Sequence, residues 1–253
     1  MNLLQRILQS KTLERTRRYW GKKTGLHLRL KRFTASASEP LRTAMLLQNH
    51  GIDFVFDIGA NTGQFAESLY DFGYKGRVVS FEPVQQAYAE LLQRKAPHAQ
   101  WEVAERCAIG GEDGEIEINV SNDTVFSSIL PIEDSYVAHN TKSRIVAKEK
   151  TPLYRIDTIA GHYLKGGEKI LLKIDTQGYE KEVLNGATDL LKRVKGLKIE
   201  IPLYPIYHNT GFTFYEIIDF VKAHGFQPYS FHVEGVDLPT GRVNTIDGLF
   251  FKE

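Results

Sequence analysis

The 253-residue sequence predicts an α/β fold: a mostly parallel sheet covered by helices on both faces, with a small antiparallel insertion and a basic helical N-terminal extension. Three observations carry this expectation. Apolar runs of strand length alternate with helix-spaced segments over about 200 residues, and parallel neighbours need such crossovers. One strand runs directly into a glycine-bounded turn and a helix. The composition, at 42% hydrophobic and 25% charged with 21 Gly and 9 Pro, matches an ordinary globular domain and excludes a disordered chain, a collagen-like repeat or a disulfide-built mini-domain.

The elements follow in order. After a polar hinge at Thr34–Pro40, the segment Leu41–Asn49 has helical spacing and ends at Gly51. Ile52–Ile58 is a short apolar run bounded by glycine, hence a buried strand. Gly63–Phe72 is a helix with Phe65, Ala66, Leu69 and Phe72 on one side, stopped by Gly73. Arg77–Phe81 is a strand, Val84–Lys95 a helix and Gln100–Ala104 a third strand. Gly114–Val120 and Ile145–Leu153 alternate apolar and polar residues, which reads as an inserted antiparallel pair. The alternation resumes with a helix at Ile156–Leu164, a very apolar strand at Lys169–Ile174, a helix at Tyr179–Leu191 and a strand at Gly196–Leu203. A helix at Phe214–His224 and two closing strands near Gln227–Val233 and Thr245–Lys252 complete the chain. The domain boundaries are expected at 1–40 for the extension and 41–253 for the catalytic domain.

The net charge of +1 conceals an asymmetry. Residues 1–33 hold ten Lys/Arg against the single acid Glu14, a net +9 that leaves the remainder at −8. Such a segment, carrying Leu3, Leu4, Ile7 and Trp20, suits peripheral contact with an anionic membrane or grip on an anionic substrate; a solvated helix packed on the domain or on a second subunit explains it equally well. The acidic body argues against a nucleic-acid partner. One cysteine, Cys107, can form neither an internal disulfide nor a multi-thiolate zinc site. No stretch approaches the roughly 18 apolar residues of a spanning helix, and Arg6 interrupts the apolar start with no cleavage site after it. A cytoplasmic protein is expected, with peripheral binding at the inner face of the membrane as the variant.

The most informative stretch is Phe54–Phe65. An apolar strand ends at Asp57, and the turn Gly59–Gly63 leads into a helix, with glycines where a ligand approaches the backbone or φ is positive. The next strand ends in Glu82, where a carboxylate can accept hydrogen bonds from both ribose hydroxyls of an adenosine group. The spacing is not the dinucleotide G-x-G-x-x-G, and no phosphate-binding G-x-x-x-x-G-K-[ST] is present. A carboxylate at Asp57 would repel a pyrophosphate but tolerates the ammonium and sulfonium of S-adenosylmethionine (SAM). A bulky residue at Gly63 is expected to block the cofactor.

These residues, with Phe81–Pro83, Cys107–Gly110 and Leu172–Glu180, resemble the FkbM family of SAM-dependent methyltransferases from about Phe54 to Phe226. The resemblance implies a class I methyltransferase: a seven-stranded, mostly parallel sheet with one reversed strand near its end, methylating hydroxyls of sugars, glycolipids or polyketides and releasing S-adenosylhomocysteine (SAH). By position, Asp57, Gly59, Asn61, Gly63 and Gln64 would surround the amino-acid part of SAM, Glu82 the ribose, and Cys107 and Ala108 the adenine. Ala60, Phe65, Pro83 and Asp175 complete the implied cofactor set. The chain departs from the family pattern at Thr176 and Gln177, where Glu or an aliphatic residue is usual.

Methyl transfer is an in-line displacement, and a sugar hydroxyl needs a base or a metal to become nucleophilic. In an open α/β sheet the ligand lies beyond the carboxyl ends of the strands. Asp175 and Glu200, flanked by apolar residues, are there, and charges in such places are paired or functional. Asp175, Glu200 and His208 are the candidate bases; a divalent cation held by carboxylates is the alternative, and a structural ion pair of Asp175 with Lys173 the plainest one. Strand alternation is taken to send Lys173 to the opposite face. Ser127, Ser128, Tyr204, Tyr207 and His208 are candidate acceptor contacts. The expected acceptor is a glycan, a glycolipid or a nucleotide sugar, and a homo-oligomer is allowed. The rival readings are a nicotinamide-dependent oxidoreductase or epimerase, for which no Tyr-x-x-x-Lys pair is suitably placed, and a non-catalytic SAM-binding module.

Overall fold

The computed structural model describes residue 24 and residues 33–253, except 205, 209–211 and 238. Apart from 24 and 33, the basic segment and its expected membrane contact lie outside the described residues. The chain divides into two compact units, Met1–Arg42 and Thr43–Glu253. In the first, the expected hinge is a turn in which Thr34 accepts backbone N–H bonds from Ala37 and Ser38. Among the described residues no helix is long and apolar enough to cross a membrane.

The elements are α1 (Glu39–Asn49), β1 (Phe54–Ile58), α2 (Gln64–Asp71), β2 (Arg77–Phe81), α3 (Gln85–Lys95), β3 (Trp101–Val103), β4 (Ala108–Ile109), β5 (Gly114–Ser121), α4 (Asp134–His139), β6 (Ile145–Tyr154), α5 (Ile156–Ile159), β7 (Ile170–Ile174), α6 (Glu180–Asn185), α7 (Leu190–Arg193), β8 (Val194–Pro202), α8 (Phe214–Ala223), β9 (Phe226–Val236) and β10 (Val243–Lys252). Seven strands form one sheet in the order β3-β2-β1-β7-β8-β10-β9. The pairs from β3 to β8 are parallel, while β10 is antiparallel to both β8 and β9. This is the sheet that the resemblance implies, seven strands with the reversed one next to the edge.

β1 and β7 are buried along their whole length, as central parallel strands must be when helices cover both faces. Alternation along them divides the core. Phe54, Phe56, Ile58, Leu172 and Ile174 join one cluster, and Val55, Leu171, Trp101 and Phe251 the other. Asp57 and Lys173 point to the second face, and their positions are register partners across β1 and β7. α8 begins with a capping box, in which Thr213 and Glu216 satisfy each other's backbone N–H groups. The insertion is the antiparallel pair β5–β6, extended by β4 on the other side of β6.

Two expectations are corrected. The helix expected over Tyr179–Leu191 is two helices, because a Cβ at Gly186 would lie 2.0 Å from the Gly110 carbonyl and the chain bends there. Asp157 then accepts the N–H groups of Asp189 and Leu190 at the start of α7. The helix expected over Ile156–Leu164 continues past Ile159 only as a short 3₁₀ turn, Ala160–His162. The two-residue β4 and the short α4 carry too few residues to show a period in sequence.

Candidate active site

Two turns meet at the carboxyl ends of β1 and β7. In the first, Gly59 has φ +72°, and a Cβ on it would stand 1.8 Å from the carbonyl oxygen of Asp175. Only glycine allows the two turns to approach this closely. Asn61 follows in the left-handed region, at φ 48°. Its N–H donates to Glu82 Oε2 at 2.7 Å, while the N–H of Val84 donates to Oε1 at 2.8 Å. Glu82 is buried, and burial lifts its pKa to about 7 against the opposing pull of those two N–H groups and of Lys173. Beside this turn lies an open cavity of about 430 Å³. Asn61, Thr62 and Gln64 form one wall, Gln86 and Glu90 of α3 another, and the insertion around Thr124 a third.

Behind the turn runs a buried polar row. Trp101 Nε1–H donates to Ser80 Oγ at 3.0 Å, and Ser80 donates to Asp57 Oδ2 at 2.9 Å. Lys173 Nζ lies 3.0 Å from Asp57 Oδ1, donates to the Gly59 carbonyl at 2.8 Å and reaches Asp175 Oδ2 at 3.6 Å. Burial opposes the ammonium charge, yet the carboxylates of Asp57 and Asp175 outweigh it and hold the pKa above the ordinary lysine value. Asp57 has no exposed surface and supports the turn from beneath. One expectation changes here. Lys173 shares a face with Asp175, since positions two apart in a strand point the same way.

The second turn, after β7, is organised by Glu180 and Gln177. Glu180 Oε1 accepts the N–H groups of Thr176 at 2.9 Å and Gly178 at 3.1 Å. Burial raises its pKa. Gln177, at φ 57°, donates from one amide nitrogen to Asp175 Oδ1 at 2.8 Å and to Glu200 Oε2 at 3.0 Å. Its amide oxygen accepts from Tyr207 Oη at 2.7 Å, and its backbone oxygen from Ser128 Oγ at 2.7 Å. A non-glycine residue held in the left-handed region stores strain that its surroundings must overcome; here four partners hold it. Burial, then the carboxylates of Asp175, Glu180 and Glu234, drives the pKa of Glu200 well above the usual carboxylate range. Tyr207 is likewise raised, first by burial and then by Glu200.

Asp175, Glu200, Tyr207 and Ser128 are thus brought together by Gln177. The other expected site residues lie as follows. His208 Nδ1 is 2.9 Å from Glu133 Oε1, and its N–H donates to the Pro131 carbonyl, which ties it to the insertion. Tyr204 carries the Arg242 guanidinium over its ring at 4.3 Å. Ser127 Oγ accepts from the N–H of Ser121. Gln64 lines the cavity, Ala60 is buried under the turn, and Phe65 lies under the Lys173 and Lys198 ammonium groups at 5.8 and 5.6 Å. The Pro83 carbonyl accepts from Arg106 at 2.7 Å. Cys107 and Ala108 are buried in the core, and burial pushes the Cys107 thiol up to about 12. Among the described residues no group of three His, Cys, Asp or Glu side chains is arranged to hold a metal ion; a glutamine amide stands between Asp175 and Glu200.

Sequence reasoning missed Gln177 as the hub and Lys173 as the bridge. The signal for Lys173 was present: a lysine two residues before an aspartate in an otherwise apolar strand must find buried partners.

Three solved structures are similar to this chain. The chain is 12% identical to magnesium protoporphyrin IX methyltransferase (ChlM) from Synechocystis PCC 6803 with bound SAM, with a TM-score of 0.46 over 99% of this chain and 96% of that one. TehB from Haemophilus influenzae gives 13% identity and a TM-score of 0.47 over 94% and 67%. An rRNA methylase from Streptococcus thermophilus gives 12% and 0.44 over 88% and 98%. No curated protein sequence matches the chain. The family model described as the methyltransferase FkbM domain matches residues 57–228, the span that carries both turns, Glu82 and Glu200. The chain therefore belongs to the FkbM methyltransferase family.

Proposed function

We propose that this protein transfers a methyl group from SAM to a hydroxyl of a sugar, glycan or glycolipid acceptor. The observation that carries the reading is the Gln177 amide, which joins Asp175, Glu200 and Tyr207 next to the Gly59 turn. SAM, when bound, supplies an electrophilic methyl carbon on a sulfonium. Glu82, with two lone-pair positions left after its backbone bonds, suits the ribose hydroxyls, and the Asn61–Gln64 turn suits the amino-acid end. Asp175 and Glu200 stand ready to take the proton that the acceptor hydroxyl loses as its oxygen attacks the methyl carbon. Burial gives Glu200 the basicity this requires, since a carboxylate held above its usual pKa range competes better for a hydroxyl proton. Gln177 orients both carboxylates as acceptors, and Tyr207 fixes which way the amide faces. Tyr204, Tyr207, His208 and the Ser127–Ser128 hydroxyls border the acceptor. The basic segment 1–33 brings the cytoplasmic enzyme to an anionic inner-membrane surface bearing a lipid-linked acceptor.

The test is incubation with SAM and a panel of neutral sugars, nucleotide sugars, glycans and glycolipids, with SAH release measured. Hydroxyl-dependent SAH formation that falls at least about tenfold in Asp175→Asn or Glu200→Gln, with SAM affinity retained, is expected. SAH formation with amine or thiol acceptors and none with hydroxyls would replace the acceptor class.

A further inference from the structure

We propose that Lys173 is a positioning residue shared by both halves of the site: its ammonium joins the backbone of the Gly59 turn to the Asp175 carboxylate, so one buried charge governs the cofactor side and the acceptor side together. The geometry is specific. Lys173 is 5% exposed, with Nζ 2.8 Å from the Gly59 carbonyl, 3.4 Å from the Ile58 carbonyl, 3.0 Å from Asp57 and 3.6 Å from Asp175. An ammonium has three N–H donors; here they connect β1, its turn and the end of β7.

This charge acts with Asp57 on β1, Asp175 after β7 and Glu82 after β2; Glu200 on β8 feels Asp175, Glu180 at the start of α6, Glu234 on β9 and Lys173, with Tyr207 beside it. Lys198 forms an ion pair with Asp247. Lys173 lowers the proton affinity of both Glu82 and Glu200, which belong to opposite ends of the site. A lysine kept only to neutralise Asp57 would have no reason to reach Gly59 and Asp175. Charges in a buried row act strongly because little solvent screens them.

The inference rests on the reading of Glu82 as the cofactor carboxylate and of Glu200 as an acceptor-side one, and the test separates the two. Full-length protein labelled with carbon-13 at glutamate carboxyls is titrated by NMR, with Glu82→Gln and Glu200→Gln identifying the two signals, and SAH affinity is measured by calorimetry across the same pH range. In Lys173→Met both midpoints are expected to rise by about one unit, and SAH affinity below pH 7 to fall about tenfold more than at pH 8.5. Lys173→Arg retains the charge and is expected to return both midpoints to the wild-type values. The titration of SAH itself is common to all proteins and cancels.

If Lys173→Met does not fold, the charge-balanced Asp57→Asn/Lys173→Met serves. There the Glu200 midpoint still rises, whereas that of Glu82 stays put because the opposing Asp57 has gone too. Unmoved midpoints in Lys173→Met, equal shifts in the Arg variant, or an unmoved Glu200 in the double variant would overturn the inference. Failure of wild-type protein to bind SAH would remove the cofactor reading, while the NMR midpoints would still report on Lys173.

Discussion

The two turns at the centre of the sheet are built to the same plan and do different work. Each follows a fully buried strand, and each places a non-glycine residue in the left-handed region, Asn61 at φ 48° and Gln177 at φ 57°. Each is also closed by a buried glutamate that accepts backbone N–H groups, Glu82 in one and Glu180 in the other. The difference lies in what the left-handed residue does. Asn61 bonds through its side chain to its neighbour Thr62 and to Thr124, leaving the turn open to the cavity beside it. Gln177 is held at its side-chain amide and its backbone oxygen, by Asp175 two residues before it and by Ser128, Glu200 and Tyr207 far away in sequence. The turn that borders the cavity keeps its N–H groups occupied by Phe81, Glu82 and its own residues, whereas the turn that aims carboxylates needs its side chain held in place from elsewhere.

The largest effect should come from joining the two turns by force. Gly59→Ala places a methyl group 1.8 Å from the Asp175 carbonyl in a backbone region that disfavours alanine, which costs more than about 3 kcal/mol. Loss of the cooperative thermal transition, or a severely lowered Tm, is the expected result. A near-normal melt would mean that the turns are not packed as described. Gly63 makes a useful contrast. A Cβ there would meet Trp101 at 2.6 Å and Leu91 at 2.7 Å, so Gly63→Val should damage the core and lower Tm. Damage to the core thus accompanies the expected block to the cofactor, and the melt reads it separately from SAM affinity.

The next effect separates the two glutamates. Glu82→Gln removes a charge-assisted acceptor from the cofactor side and should weaken SAM binding by about 10- to 100-fold, the equivalent of about 1.5–3 kcal/mol. Glu180→Gln should leave SAM affinity within about threefold and lower kcat instead. Equal losses of affinity would erase the distinction between the turns. Isothermal calorimetry on both variants decides it.

A smaller, pH-dependent effect sharpens the same point. The Glu82 pKa is raised by burial to about 7, so below pH 7 the free protein holds a proton there. Ribose hydroxyls donate better to the ionised form, so binding expels that proton, and affinity should drop up to about tenfold per unit as the pH falls below 7 and level off above it. Calorimetry in buffers of different ionisation enthalpy would show proton release near pH 6, and Glu82→Gln should abolish it. Proton uptake in the wild type would reverse the assignment.

The cofactor turn was legible in sequence because its parts are contiguous: strand, glycines, helix, then a strand ending in an acid. The sheet was legible for the same reason, each strand being a short apolar run bounded by glycine or polar residues. The acceptor side was legible only as separate residues, Asp175, Glu200, Ser128 and Tyr207 among them, without the side chain that joins them. Gln177 meets Tyr207 and Ser128 across 30 and 49 residues of chain, and no local pattern encodes such meetings. A glutamine in a place where an acid or aliphatic residue was expected read as a departure, when its amide is what allows two carboxylates to stand side by side. Helix breaks such as that at Gly186 were hidden too, because the crowding against the Gly110 carbonyl is a tertiary fact.

The finest test concerns a single hydroxyl. Tyr207 is buried, and its Oη donates to Gln177 Oε1 at 2.7 Å. In Tyr207→Phe that amide oxygen loses its donor, and the amide is free to turn over, which would take its N–H groups away from Asp175 and Glu200. A net loss of about 1 kcal/mol in orientation corresponds to roughly a fivefold fall in kcat, with SAM affinity unchanged because Asn61 and Glu82 are untouched. Tm should fall only slightly, since the ring still fills its place. If kcat stays at the wild-type value, the amide is held by its two carboxylates alone, and Tyr207 belongs to the packing of the insertion instead of the acceptor turn.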